Sequence, residues 1–147
     1  MENPITQLEQ LTLNQQSRMF LKETAKWASF LSIIGFIGIG LMILLGLFAG
    51  TLFSNLPQAQ EIPFDFGMTM TITYLILALV YFFPIMYLYK FSQRMKMALS
   101  TKDDENLAAA FESLKSHYKF IGVFTIIMLS LYVLLIVVSL LGVAMNA

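Results

Sequence analysis

The segment LSTKDDENLAAAFESLKSHYKF, residues 99–120, contains 7 of the 18 charged residues of this 147-residue chain. Uncharged runs lie on either side of it, at 66–89 and 120–147, and a third uncharged run covers 27–60. A hydrocarbon core about 30 Å thick is crossed by roughly 20 helical residues, so each run is long enough for one transmembrane helix. The charged segment is therefore expected to lie outside the bilayer, between two spans.

The composition predicts an all-α integral membrane protein with three transmembrane helices. Hydrophobic residues make up 58% of the chain and charged residues 12%, which is too apolar for an ordinary soluble domain. The rest of the chain is too short to cover three helices that are apolar on every side. We predict a single membrane domain with a cytoplasmic arm at 1–27, spans at 28–52, 68–90 and 120–144, an outside loop at 53–67, a cytoplasmic helical hairpin at 91–119 and an outside tail at 145–147.

The first apolar stretch is predicted to remain in the protein as a membrane anchor. It runs from Ala28 to Phe53, which is longer than the roughly 7–15 residues of a signal-peptide core, and no suitable cleavage site follows it. The chain has no cysteine, so disulfides and thiolate metal sites are excluded.

The basic residues predict how the spans are oriented. Arg18, Lys22 and Lys26 precede the first span, the other six basic residues lie at 90–119, from the last residue of the second span to the start of the third, and the outside loop and tail have none. Short segments rich in Lys and Arg stay in the cytoplasm. We therefore expect a multi-pass protein of the inner (plasma) membrane, with a cytoplasmic N-terminus and a C-terminus outside.

The segment between the second and third spans has the pattern of two helices. Thr101 followed by Asp104 resembles a capping box, which predicts a helix start near residue 101. An apolar stripe then recurs with helical spacing at Leu107, Phe111, Leu114 and Tyr118. A similar stripe leaves the second span at Tyr87, Phe91, Met95 and Ala98. We expect the two stripes to face each other in an antiparallel hairpin, and the later stripe is a candidate packing or partner surface.

The N-terminal arm shows a related pattern. Thr6 and Glu9 give a second capping-box signal, and the residues that follow place apolar and basic side chains on different faces of a helix. Such an arm can pack on the hairpin or lie along the lipid headgroups, and both arrangements remain open at this stage.

Glycine and proline mark two further features of the spans. The first span contains small residues along roughly one face, at Gly35, Gly38, Gly46 and Gly50. Small residues allow helices to approach closely in lipid, so this face is a candidate contact with the other spans or with a second copy of the chain. Pro84 removes a backbone donor and is a candidate kink in the second span.

The sequence offers little for catalysis. Apart from tyrosine and Lys90, which is the last residue of the second predicted span, no ionisable side chain lies in any predicted span, whereas proton relays and ion pathways place such groups within the bilayer. The single histidine, His117, is expected to be a solvated interface residue between Lys115 and Lys119. We expect no enzyme activity, no catalytic residue, no cofactor and no metal, and the equal numbers of acidic and basic residues give no indication of nucleic-acid binding.

The stretch YLYKFSQRMKMALSTKDDENLAAAFESLKSHYKFIGVFTIIMLSLY, residues 87–132, resembles a family of small membrane proteins of the Bacteroidota. The matching features are the aromatic-Lys-Phe-Ser exit from the second span, the Asp-rich turn and AFESLKSHYKF with the glycine that follows. This family is catalogued as domain of unknown function 5362. The resemblance implies a topology and assigns no activity to any residue.

These observations favour a non-enzymatic accessory, scaffold or assembly subunit. The alternative is a small oligomeric channel or transporter, with threonine and serine lining the path. The expected partners are the lipid bilayer and either further copies of the chain or another membrane protein.

Overall fold

Three long α-helices make up the structure, a computed structural model that describes residues 13–54 and 65–145. The helices are α1 (Gln15–Ser54), α2 (Phe66–Thr101) and α3 (Asp104–Met145), and the described ranges contain no strand. Each helix is long and apolar enough to cross a membrane. The predicted fold class, an all-α multi-pass membrane protein with three helices, is confirmed.

Some predicted segments lie outside the described residues. These are the capping signal at Thr6 and Glu9, most of the predicted outside loop, and residues 146–147 of the predicted tail. The first described helix is capped instead by Asn14, whose Oδ1 accepts a hydrogen bond from the Ser17 N–H at 2.7 Å.

A seam of small side chains joins α1 to α2. The α1 positions on it recur at steps of three and four, a coiled-coil spacing, and are Ala25, Ala28, Ser32, Gly35 and Ile39. The two helices are antiparallel, because the start of α1 meets the end of α2, whereas Phe53 near the end of α1 packs edge-on against Phe66 at 5.5 Å. In lipid the hydrophobic effect does not drive helices together, because the lipid tails are as apolar as the side chains. Small residues allow the backbones to approach closely, and van der Waals packing then stabilises the pair.

The N-terminal part of α1 packs on the hairpin. Ala25 and Ala28 belong to one buried cluster with Phe91 and Met95 of α2 and Ala110 of α3. Of the two arrangements left open for the arm, its described part from residue 13 onward therefore adopts the packed one.

The hairpin turn differs in detail from the predicted capping box. Lys102 adopts the left-handed conformation (φ 54°, ψ 44°) and ends α2, and the Asp103 N–H donates to the Ala98 carbonyl at 3.3 Å. Asp103 then caps α3, because its Oδ1 accepts from the Glu105 N–H at 2.9 Å. Thr101 is the last residue of α2, and its hydroxyl bonds back to Met97, so it cannot cap α3.

The predicted stripe on α3 divides into two halves. Leu107 and Leu114 pack against the buried cluster, whereas Phe111 and Tyr118 are 45% and 65% exposed. The buried face of α3 is centred on Ala110 and Ser113 instead. The predicted stripe is identified from large apolar residues that recur with helical spacing. Two helices approach most closely where their side chains are small, so the contact is centred on other positions.

The third helix leaves α2 after the hairpin. Ring contacts join the two helices at Phe83 with Phe120, 6.1 Å between centroids, and at Tyr81 with Phe124, 6.4 Å. Every residue from 125 to 145 is exposed. Most of the apolar length of α3 is thus not covered by the described part of the chain.

Candidate functional site

The contact among all three helices, here called the junction, consists of Ala25, Ala28, Phe91, Met95 and Ala110, all buried. Five leucines pack around it: Leu21, Leu88, Leu99, Leu107 and Leu114. Because each helix contributes to it, the junction holds the hairpin and the start of α1 as one unit beside the predicted spans.

Arg94 ties the two arms of the hairpin together. Its Nη1 donates to the Ala109 carbonyl at 3.1 Å and to the Ser113 Oγ at 3.3 Å. Ser113 is buried, and its hydroxyl donates to the same Ala109 carbonyl at 3.1 Å. Hydrogen bonds from a charged donor are stronger than neutral ones. Sequence reasoning missed this network, because no local pattern relates residues that lie 15 and 19 positions apart.

His117 contacts α2 and is not freely solvated. Its Nδ1 lies 2.7 Å from the carbonyl oxygen of Pro84, and the side chain is partly buried. A carbonyl oxygen only accepts hydrogen bonds, so Nδ1 carries the proton. The expectation of a solvated histidine is corrected: the long helix α3 folds back on α2 and brings the ring onto the backbone.

Pro84 is buried within α2, which is helical from Phe66 to Thr101. It cannot donate to the carbonyl four residues earlier, and its own carbonyl binds His117. The proline therefore lies about one turn from Tyr81, whose ring contact with Phe124 is the last ring contact among the described residues before α3 becomes exposed.

The candidate glycine face is only partly in contact with α2. A Cβ added at Gly46 would lie 2.7 Å from the Tyr74 Cβ, and one at Gly50 would collide with the Thr71 hydroxyl. At Gly35 it would meet the flexible end of Ile85 at 2.8 Å. Gly38 is the exception, because nothing lies within 4 Å of such a Cβ. The seam passes from Gly35 to Ile39, a step of four residues. Gly38, which is three residues after Gly35, therefore lies beside the seam and not on it.

A threonine adds a hydrogen bond to this contact. The Thr71 hydroxyl lies 2.9 Å from the Gly46 carbonyl of α1 and 3.2 Å from the Gly67 carbonyl of its own helix. Thr73 bonds only within α2, to the Thr69 carbonyl at 2.8 Å. The Thr71 hydroxyl thus links two predicted spans, and the Thr73 hydroxyl does not.

Ser92 is fully buried, and its hydroxyl has no hydrogen-bond partner. It follows Phe91 of the junction on α2. A buried hydroxyl without a partner destabilises a fold.

The described residues hold no candidate metal site. In residues 13–54 and 65–145, no group of three or more His, Asp or Glu side chains lies close enough to hold a metal ion. What these contacts do is set the geometry of the helices: they close α1 against α2, hold the hairpin, and leave the later part of α3 uncovered.

The comparisons with known proteins identify a family. A family of unknown function (DUF5362) has a model that matches residues 67–140, half of the chain. The match begins in α2, includes the whole hairpin and ends in α3. No curated protein and no solved structure matches the chain.

Proposed function

The chain belongs to the DUF5362 family of unknown function, and we propose that it acts as a non-enzymatic accessory or scaffold subunit of the inner membrane. The observation that carries the proposal is the third helix. Its residues 125–145 are all exposed, whereas α1 and α2 are closed against each other along a seam. A helix that the described part of the chain leaves exposed in the bilayer is available to another membrane protein.

The hairpin supports the same proposal. The junction and the Arg94 network hold the base of α3 on α2, so the exposed part of the helix starts from a defined position. A scaffold needs such a rigid base, because an oriented surface loses less freedom when a partner binds.

The polar groups favour a scaffold over a channel. The serine and threonine hydroxyls of Thr71, Thr73, Ser130 and Ser139 all bond to backbone carbonyls. Hydroxyls paired in this way offer few free groups to line an aqueous path. Asp, Glu, Arg and His are absent from the predicted spans, and Lys occurs there only as Lys90, the last residue of span two. This composition is likewise unfavourable for ion transport and for hydrolysis in the bilayer.

The orientation belongs to the proposal as well. All nine basic residues lie at 18–26 and 90–119, so the positive-inside rule places the junction and the hairpin in the cytoplasm. We propose that the partner is another inner-membrane protein, which contacts span three within the bilayer and the exposed Phe111 and Tyr118 in the cytoplasm.

Site-specific photo-crosslinking in the native membrane tests the proposal. A photoreactive residue at Leu134 of α3 is expected to give one discrete adduct with a different protein, which mass spectrometry identifies. The matched control is Leu45 of α1, which is equally exposed at 58% and is expected to label lipid only. An adduct of Leu134 with a second copy of the chain would favour the oligomeric channel, and labelling of lipid alone would contradict both readings.

A further inference from the structure

A groove of about 870 Å³ opens between α1 and α2, at the end of the spans assigned to the cytoplasm. Its walls are of two kinds. Three lysines and three large apolar side chains line it: Lys22, Lys26, Lys96, Met19, Trp27 and Phe30. Neither the packing of the helices nor the proposed scaffold role accounts for this groove.

Two of the three lysines, Lys22 and Lys26, lie on α1 between Met19 and Trp27. Ala25 and Met95 are fully buried in the junction, so the next residues, Lys26 and Lys96, lie at the same height on the two helices. Lys22 precedes Lys26 by four residues and shares its helix face. Glu23 also borders the groove, which leaves two net positive charges on its lining.

The aromatic part of the wall lies closer to the bilayer than Lys22 and Lys26 do. Trp27 and Phe30 pack edge-on with centroids 5.9 Å apart, and they remain 58% and 53% exposed. From Lys22 to Phe30 the helix rises about 12 Å. The groove therefore changes from cationic to aromatic along the membrane normal.

We propose that this groove binds an anionic phospholipid. The headgroup phosphate lies among the three lysines, and an acyl chain covers Trp27 and Phe30. Charge complementarity selects the headgroup, because a zwitterionic lipid brings no net charge to balance the two positive charges. A soluble anion would satisfy the lysines but leave the aromatic wall uncovered. Basic pockets between helices on the cytoplasmic side are a known means of holding anionic lipid. The inference does not depend on the scaffold role.

The chain contains a single tryptophan, Trp27, which lines the groove, so tryptophan fluorescence reports on the surroundings of this one residue. The full-length protein is reconstituted in vesicles of equimolar phosphatidylglycerol and phosphatidylcholine, and bromine is placed on the acyl chains of one lipid or the other. We expect brominated phosphatidylglycerol to quench Trp27 more strongly. The preference is expected to fall about fivefold for each lysine removed, the equivalent of about 1 kcal/mol.

Matched variants distinguish lipid binding in the groove from the general attraction of anionic lipid to a basic protein surface. Lys26→Gln with Lys96→Gln is expected to abolish the preference, whereas Lys102→Gln with Lys115→Gln removes the same charge from exposed positions outside the groove and is expected to retain it. Equal quenching by the two lipids, or equal loss in both double variants, would overturn the proposal.

A third arm distinguishes lipid from free phosphate. Inorganic phosphate, added at constant ionic strength, is expected to leave the preference unchanged. Loss of the preference under these conditions would show that the lysines bind a soluble anion, and it would overturn the assignment to a lipid.

Discussion

His117 Nδ1 lies 2.7 Å from the carbonyl oxygen of Pro84, and this hydrogen bond joins α3 to α2 beside the point where they part. The stacked rings of Phe83 and Phe120 and the pair Tyr81 and Phe124 are the neighbouring contacts. Beyond them α3 is exposed to its end. The position of the exposed part of α3 therefore depends on a few contacts around this histidine.

Replacing His117 with alanine is expected to loosen α3. The variant loses one interhelical hydrogen bond, so the free energy of unfolding is expected to fall by about 1 kcal/mol, measured by denaturant titration in detergent micelles. His117→Asn is the control, because its side-chain N–H can occupy the place of Nδ1–H. Equal losses in the two variants would mean that the ring contributes by packing and not by this hydrogen bond.

Gly46→Ala is expected to destabilise the contact between α1 and α2. The new methyl group would lie 2.7 Å from the Tyr74 Cβ, and overpacking of this kind costs roughly 1–3 kcal/mol. Gly38→Ala is the matched control: its methyl group meets nothing within 4 Å, and alanine favours a helix over glycine. Thermal unfolding of the two variants compares them directly.

The same two variants decide between the alternatives left open for the glycine face. If Gly46 packs within the chain, Gly46→Ala lowers the melting temperature and leaves the size of the detergent-solubilised particle unchanged. A smaller particle, with the monomer equally stable, would place the glycine face between copies of the chain.

Thr71→Val is expected to lower stability because it removes the hydroxyl that donates to the Gly46 carbonyl at 2.9 Å. Interhelical hydrogen bonds in membrane proteins contribute about 0.6 kcal/mol on average and up to about 1.7 kcal/mol. Thr73→Val removes a hydroxyl that bonds only within its own helix, and it is expected to have less effect. Unfolding in mixed micelles with increasing denaturing detergent measures both, and a larger loss at Thr73 would contradict the assignment.

Two serines of the hairpin are expected to respond to alanine with opposite sign. Ser92→Ala removes a buried hydroxyl that has no partner and is expected to stabilise the fold by about 1 kcal/mol. Ser113→Ala removes the acceptor of Arg94 at 3.3 Å and is expected to destabilise it by a similar amount. Chemical denaturation of each variant beside the unmodified protein checks the signs. Destabilisation by Ser92→Ala would mean that its hydroxyl is paired.

The proposed orientation predicts the behaviour of reporter fusions. A reporter that is active only outside the cytoplasm is expected to work after Ala147, and one that needs the cytoplasm is expected to work at Thr101, because the basic residues are retained inside. Activity on the opposite side at either position would overturn the orientation. Lys102→Glu is a useful companion, since a single charge change in a segment with six basic residues should not invert the protein.

Length and composition alone determined the number and type of the elements. Three uncharged runs, each longer than about 20 residues, can be stable only as helices in a bilayer, because the backbone must satisfy its own hydrogen bonds there. The charged segment at 99–120 likewise predicted a stretch outside the bilayer, and the helical spacing of the apolar residues on either side of its turn predicted the hairpin. The uncharged runs and the charged segment are both visible in the sequence, without knowledge of any tertiary contact.

Tertiary structure decided which residues meet. Gly38 and Gly46 are equivalent in the sequence, yet only Gly46 contacts α2, and small Ala110 is buried where the larger Phe111 is half-exposed. His117 reaches Pro84 across 33 positions. These choices depend on the register and rotation of one helix against another. Close packing of small side chains over the whole interface sets both quantities, and no local spacing contains that information.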